Sequence, residues 1–383
     1  VLDPTFEFDF RNGAIFDSRV MIGGVPTKYQ TRQGRIEPTA ATSDPRYEYD
    51  FVSNQYTGGV SIEPIITHVC LQSHFAATWT AKNCSISSGT VADPAGGTDA
   101  RTITASANSA FVSQTVVATA GRTRTFSVWI RRRTGTGTVQ IQTHAANVVT
   151  CNVTTSWNRF SVTRNGSGTG NFSYSLRVLI ATSGDAVDVW GAQLEEALST
   201  SQPMSNVLTT TATASSPSDS LEIDFYDGIS TSTSATFIWQ VDVARRSSAV
   251  GNVFVRLFDT SGDAFVYLYD DGNTMFESPN QNTAGAQEAA DYEIASGIQS
   301  WGISVTPTTF TIAKSTTISG STEGYSFATT TDLDVPEPWN WRSISITGAS
   351  LSSLRGWQGY VRYAAMFDYA LPNSELLAVL GGL

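Results

Sequence analysis

Asp188-Val189-Trp190-Gly191-Ala192-Gln193-Leu194-Glu195-Glu196 is the stretch on which the fold turns. It begins as a β-strand, because Val187 and Val189 fall on one side of an extended chain while Asp188 and Trp190 fall on the other. It also closes a series of similar segments. Thr102–Ala105, Ala110–Val117, Thr123–Ile130, Thr138–Ile141, Phe160–Thr163, Tyr174–Ile180 and Ala186–Trp190 recur with Gly, Asn or Ser turns between them. Short apolar alternation at that rhythm predicts a two-sheet antiparallel sandwich.

The rest of the chain divides around this block. Residues 201–220 are rich in Ser, Thr, Pro and Ala and read as a linker. Residues 221–383 read as a second sandwich. There, Thr236–Val243 alternates as a strand, and Asn252–Phe258 and Ala264–Tyr269 flank the turn Asp259-Thr260-Ser261-Gly262-Asp263. Near the C-terminus, Gly359–Phe367 reads as a strand that leads into a short helix beginning near Asn373 or Ser374, either of which can cap it. Residues 1–61 hold one clear strand, Phe6–Phe10, and otherwise lack periodicity. The expectation for 1–61 is a segment for attachment or oligomerisation, the alternative being an extended arm packed on its own chain. The expected class is therefore all-β, two antiparallel sandwiches behind an irregular N-terminal segment.

Composition supports this and narrows the function. Only 15% of the 383 residues are charged, while 40% are hydrophobic and 11% aromatic, enough for large cores and too much for disorder. The net charge of −11 argues against a duplex-binding surface, since the one basic run is Arg131-Arg132-Arg133. Cys70, Cys84 and Cys151 are odd in number and lack metal-site spacing. They read as core residues or free thiols, in keeping with assembly in a reducing cytoplasm, with a Cys70–Cys84 bridge not indicated. Val1-Leu2-Asp3-Pro4 does not read as a signal peptide, and no run of about 18 apolar residues predicts a spanning helix.

Several motifs, taken in order, carry a resemblance. They are Ile62-Glu63-Pro64, Phe75, Trp79-Thr80, Asp93-Pro94-Ala95-Gly96-Gly97-Thr98, Thr125–Arg131, Trp157–Phe160 and Trp190-Gly191-Ala192-Gln193-Leu194-Glu195. Together they resemble a carbohydrate-binding-module-like jelly roll found in phage head-spike, tail-fibre and related particle proteins, spanning about residues 62–200. The Gly359–Leu377 stretch resembles the closing strand and helix of a laminin-G, concanavalin-like domain, with Pro372-Asn373 where Ser or Thr is commoner. The resemblance implies a particle-surface protein that binds host surface polysaccharide, contacts other capsid or tail proteins, and forms a homo-oligomer, most often a trimer.

Strand alternation sorts the candidate contacts. With Phe126, Val128, Ile130, Val139, Ile141, Leu176, Val178, Ile180, Val187 and Val189 inward, Trp129, Arg131, Gln140, Gln142, Arg177, Asp188 and Trp190 face the other way. Indoles stack on pyranose C–H groups and planar polar groups pair with hydroxyls, so these seven are the candidate carbohydrate-binding residues, pictured on one polar face. The alternative is that Trp129 and Trp190 lie under the linker or a neighbouring chain. Asp259, Asp263, Asp270 and Asp271 are candidate ligands for a structural calcium, against a plain-turn reading; no cofactor is required.

Catalysis has little support. The chain's three histidines, His68, His74 and His144, sit in no nucleophile or zinc motif. Glu195 and Glu196 are adjacent and point apart on a strand, unlike a glycosidase pair. The expected function is non-enzymatic adsorption to host polysaccharide by a spike or fibre subunit. The alternative is a structural capsid decoration or fibre-shaft protein, and a hydrolase is third.

Overall fold

A computed structural model describes residues 4–12, 20–23, 29–32, 35–38, 47–50, 55–63, 66–88, 91–118, 123–144, 147–164, 172–197, 207–216, 220–224, 234–246, 252–259, 264–270, 274–277, 297–306, 310–318, 321–330, 341–347 and 357–383. The protein is all-β, organised as antiparallel sheets with one α-helix among the described residues.

Two sheets form the first sandwich. One runs Asn158–Arg164, Thr123–Thr134, Ala186–Ala197, Arg101–Ala105 and Cys84–Ile86, with Ile66–His68 and Ala214–Ser216 added beside Ala186–Ala197. The other runs Asn147–Cys151, Val139–His144, Phe172–Ile180, Ala110–Ala118 and Thr80–Lys82. Their inner faces supply one core that includes Ile103, Val112, Phe126, Val128, Ile130, Ile141, Leu176, Val178, Val187, Val189 and Leu194. Every residue assigned inward from alternation is buried.

Gly191 accounts for a change of phase in the opening stretch. Ser127 pairs with Gln193 and Trp129 with Trp190, so Ala186–Ala197 carries one extra residue there, a β-bulge. Gly191 sits at φ +63°, where a side chain is disfavoured. Before the bulge Val187 and Val189 point inward; after it Ala192 and Leu194 do. Without it the chain would turn Gln193 and Glu195 into the core.

At one end the two sheets are tied by Arg124, which makes a buried ion pair within its own sheet and a hydrogen bond to the other. Arg124 Nε donates to Glu196 Oε1 at 3.1 Å and Nη1 to the Tyr174 hydroxyl at 2.7 Å. Its guanidinium lies 4.5 Å from the Tyr174 ring centroid. Glu195 points the other way, accepting from Gln193 Nε2 at 2.6 Å. The two neighbouring carboxylates thus face opposite sides of the strand, as expected.

The second sandwich draws strands from both ends of the chain. Its eight-stranded sheet runs Ser321–Thr330, Phe310–Ile318, Gly297–Val305, Ala235–Arg246, Trp357–Phe367, Gln55–Ile62 and Tyr47–Asp50, with Phe6–Asp9 also pairing to Trp357–Phe367. A six-stranded sheet runs Val20–Gly23, Ser220–Asp224, Trp341–Thr347, Asn252–Asp259, Ala264–Asp270 and Thr274–Glu277. Strands of the expected N-terminal segment are therefore members of this sandwich's sheets: Phe6–Asp9 and Gln55–Ile62 pair to Trp357–Phe367, and Val20–Gly23 pairs to Ser220–Asp224. The exception is a hairpin of Tyr29–Arg32 with Arg35–Pro38.

The helix Asn373–Gly382 lies on the eight-stranded sheet. Leu376 and Leu380 pack with Ile238, Ala313, Tyr363, Ala365 and Phe367. A Cβ on Gly302 would come within 2.6 Å of Leu376 Cδ1, so a larger residue there would force the leucine side chain to shift. Pro372 is the N-cap, its carbonyl accepting from Glu375 and Leu376 amides, with no side-chain cap. The expected capping by Asn373 or Ser374 does not form, because both fall inside the first turn. On the sheet's other face Trp239 and Trp301, register partners, stack with centroids 6.3 Å apart.

Arg11 fastens the N-terminal strand. It grips Asp9 through Nε and Nη2, both at 2.8 Å, and Nη1 donates to the Leu383 carbonyl at 3.3 Å. The Arg11 hydrogen bonds hold the Asp9 carboxyl below its ordinary value, against partial burial, which raises it. A carboxylate depressed in the folded state adds stability above its unfolded pKa, and that stability drains away as pH falls through the folded one. Asp9→Asn is expected to flatten the fall in unfolding midpoint below about pH 4 that wild type shows. Identical acid profiles would rule out a stabilising role for the pair.

Candidate functional site

The seven candidate residues do not share a face. Trp129, Arg131, Asp188 and Trp190 stand on the outer face of the first sandwich's seven-stranded sheet. Gln140, Gln142 and Arg177 stand on the outer face of the five-stranded sheet, on the opposite side of the core. The picture of one polar face is corrected by strand pairing. Alternation tells which residues leave the core, and a sandwich has two outer faces.

On the seven-stranded side the indoles are covered. Trp129 and Trp190 are register partners, 5% and 1% exposed, and cluster with Ala100, Val91, Ala95, Trp157 and Leu208. Two segments lay this cover. In the first, Asp93 Oδ1 accepts from the amides of Ala95 and Gly97 and Oδ2 from that of Asp99, which folds the Asp93–Thr98 turn onto itself and sets Ala95 over the indoles. The second belongs to the expected linker. Thr209 Oγ1 donates to the Cys70 carbonyl at 2.6 Å, the Thr209 amide to Ser73 Oγ at 3.0 Å, and the Val207 amide to Gln193 Oε1 at 3.0 Å. This part of the low-complexity stretch is packed chain, and it places Leu208 on the indoles.

Beyond the cover, the basic run is accounted for by ion pairs. Arg131 Nε donates to Asp188 Oδ2 at 2.9 Å, and Arg133 Nη1 lies 3.3 Å from Asp188 Oδ1, which also accepts from Thr102 Oγ1. Arg132 Nη1 meets Asp185 Oδ2 at 3.4 Å. The Arg131 guanidinium sits 4.8 Å from the Trp157 ring centroid. Asp188 is thus a buried counter-ion that positions two arginines.

The five-stranded side is open around Gln140, Phe111 and Lys82, while Gln142 is buried at 5% exposed. Pairing sets Thr150, Gln140, Leu179, Phe111 and Lys82 in one row across it, and Val148, Gln142, Arg177, Ser113 and Thr80 in the next. Thr80, Lys82, Val148 and Thr150 are exposed, and Phe111, Ser113, Gln140, Arg177 and Leu179 are half-buried. Arg177 Nε donates to Ser175 Oγ at 3.1 Å while its guanidinium lies 4.6 Å from the Phe111 ring centroid. Lys82 Nζ lies 5.6 Å from the same centroid. Gln140 Nε2 donates to Thr150 Oγ1 at 3.2 Å. The strands from Gln140 to Lys82 span about 14 Å at ordinary strand spacing. Such a surface offers planar amide and guanidinium groups beside an aromatic ring, the chemistry that matches hydroxyl-rich rings.

Phe111 and Lys82 escaped the reading of the sequence. Phe111 sits opposite Val112 in a recognised strand, so its outward side was legible; Lys82 lies in a three-residue strand with no pattern to flag it. The candidate calcium ligands fall outside the described residues. Asp263 and Asp271 are not described, and Asp259 and Asp270 are described only as strand residues, without their side chains. No group of three or more His, Cys, Asp or Glu fit to hold a metal occurs among the described residues. Nor is any described helix long and apolar enough to cross a membrane.

The cysteines are free thiols. Burial raises all three: Cys151 to about 12, Cys70 well above its ordinary value, and half-buried Cys84 to a smaller extent. Iodoacetamide at pH 8 is expected to label Cys84 first in the native protein and Cys70 and Cys151 only on unfolding, as followed by peptide mass spectrometry. Rapid labelling of Cys70 would show that the core opens.

No protein-family model and no curated protein matches the chain. Among solved structures, it is similar to the CBM2 module of Lactobacillus casei BL23 phage J-1 evolved Dit, with a TM-score of 0.27 and 17% identity, over 39% of this chain and 69% of that one. It is also similar to the N-terminal CBM22-1-CBM22-2 tandem domain from Paenibacillus barcinonensis Xyn10C, with a TM-score of 0.25 and 9% identity, over 82% of this chain and 99% of that one. Both similarities are distant, and the functional reading rests on the site itself.

Proposed function

We propose that the first sandwich is a saccharide-binding module and that the protein is a non-enzymatic adhesin, a spike or fibre subunit at the surface of a phage-like particle that holds host polysaccharide. The observation that carries this reading is the open five-stranded face, where Arg177 lies against the Phe111 ring and Gln140 stands two strands along the same row. In this reading the module is a jelly roll, the second sandwich is laminin-G-like, and several copies per particle, in a trimer, turn weak single sites into firm adsorption through effective concentration.

The test is binding of the purified protein to a glycan array and to host cells. Gln140→Ala is expected to weaken binding about fivefold, from about 1 kcal/mol for the hydrogen-bonding group lost. A second reading, a capsid decoration or fibre-shaft protein, draws on the sealing of Trp129 and Trp190 beneath their own chain. It prevails if the wild-type protein binds no glycan and no host cell.

A further inference from the structure

The charge of the five-stranded face is opposite to that of the chain. The protein carries 34 acidic residues against 23 basic ones. Yet the strands Thr80–Lys82, Ala110–Ala118, Val139–His144, Asn147–Cys151 and Phe172–Ile180 contain no Asp or Glu at all. The partner sheet carries its acids within its strands, at Asp188, Glu195 and Glu196, and arginines pair with Asp188 and Glu196. On the five-stranded face no acid answers Arg177 or Lys82, and neither makes an ion pair among the described residues.

The two cations are also held in place. Both lie over the ring of Phe111, which sits beside Lys82 and Leu179 in its row and diagonal to Arg177. Stacking on an aromatic face limits the freedom of a long basic side chain, so less ordering remains to be done when it meets an anion. Ser175 takes the Arg177 Nε proton, which leaves the Nη edge of the guanidinium for a planar anion.

We propose that this face selects acidic polysaccharide: Arg177 and Lys82 take the carboxylate of a uronate- or sialate-type residue, while Gln140 takes a hydroxyl of a neighbouring sugar. The assignment rests on the saccharide reading above and narrows it to a ligand class. It also gives an acidic particle protein a cationic patch through which to approach an acidic cell surface that would otherwise repel it.

The full-length protein is assayed on an array of uronate- and sialate-bearing oligosaccharides printed beside their carboxyl-reduced forms, with duplex DNA as a non-glycan polyanion. Acidic forms are expected to bind at least about tenfold better than reduced ones, and binding is expected to weaken as salt screens the exposed charges. Arg177→Gln and Lys82→Gln should each lose about tenfold on the acidic forms while unfolding at the wild-type midpoint, and Lys82→Arg should retain binding. Equal binding of acidic and reduced forms, unaffected by the charge variants, overturns the acidic assignment and leaves the saccharide reading intact. Binding of DNA in preference to every glycan overturns the assignment in favour of a nucleic-acid surface. Absence of all binding overturns both readings.

Discussion

Arg124→Ala is expected to cost about 3–5 kcal/mol of folding stability, the usual result when one partner of a buried ion pair is removed. Arg124 and Glu196 are almost wholly buried, with side-chain exposures of 1% and 7%. Deleting the guanidinium removes the cation paired with the buried Glu196 carboxylate and the donor to Tyr174, which belongs to the opposite sheet. The loss therefore falls on the joint between the layers. Replacing both charges by apolar residues, as Arg124→Met with Glu196→Leu, should recover most of the stability, since no charge is then left buried. Urea unfolding followed by intrinsic fluorescence measures both. A single-variant cost below about 1 kcal/mol would mean that water reaches the pair and that this end of the sandwich is open.

Trp190→Ala is expected to cost about 3–5 kcal/mol, through lost transfer energy and the cavity left beneath Ala95 and Leu208. Trp129→Ala should cost a similar amount, and the double variant less than the sum, because the two indoles form one cluster. The folded fraction of either variant should still bind glycan as wild type does, because the proposed site lies on the other sheet. If Trp190→Ala proves nearly neutral in stability yet abolishes adsorption, the cover lifts in solution and the indoles are sugar contacts after all.

The sequence showed the all-β class and the inward residues of each strand plainly. A strand's two-residue period is local, and Phe126, Val128 and Ile130 or Leu176, Val178 and Ile180 display it without help. It could not show which strands are neighbours, since pairing is decided between residues far apart in the chain. Hence Trp129 and Gln140, outward on both counts, were placed together although the core lies between them. Composition misled at residues 207–210, which lie in a Ser- and Thr-rich stretch that looks like linker chemistry. Thr209 uses its hydroxyl and amide to bind the Cys70 carbonyl and Ser73, a role that needs a partner more than a hundred residues away. The N-terminal strands misled for the same reason: Phe6–Asp9 alternates clearly, but its partner is at residues 363–366.

That last pairing also governs the order in which the molecule is built. Ile66–His68 and Ala214–Ser216 lie side by side, so the chain leaves and rejoins the second sandwich at one place, and the first sandwich hangs from it as an inserted module. On the ribosome the inserted module has all its strands early. The host domain must hold Phe6–Asp9 without its partner strand, and Gln55–Ile62 with only Tyr47–Asp50 beside it, until residues 357–367 have been synthesised. A slow, late step dominated by very long-range contacts follows for the outer domain, and a fast, early one for the inner.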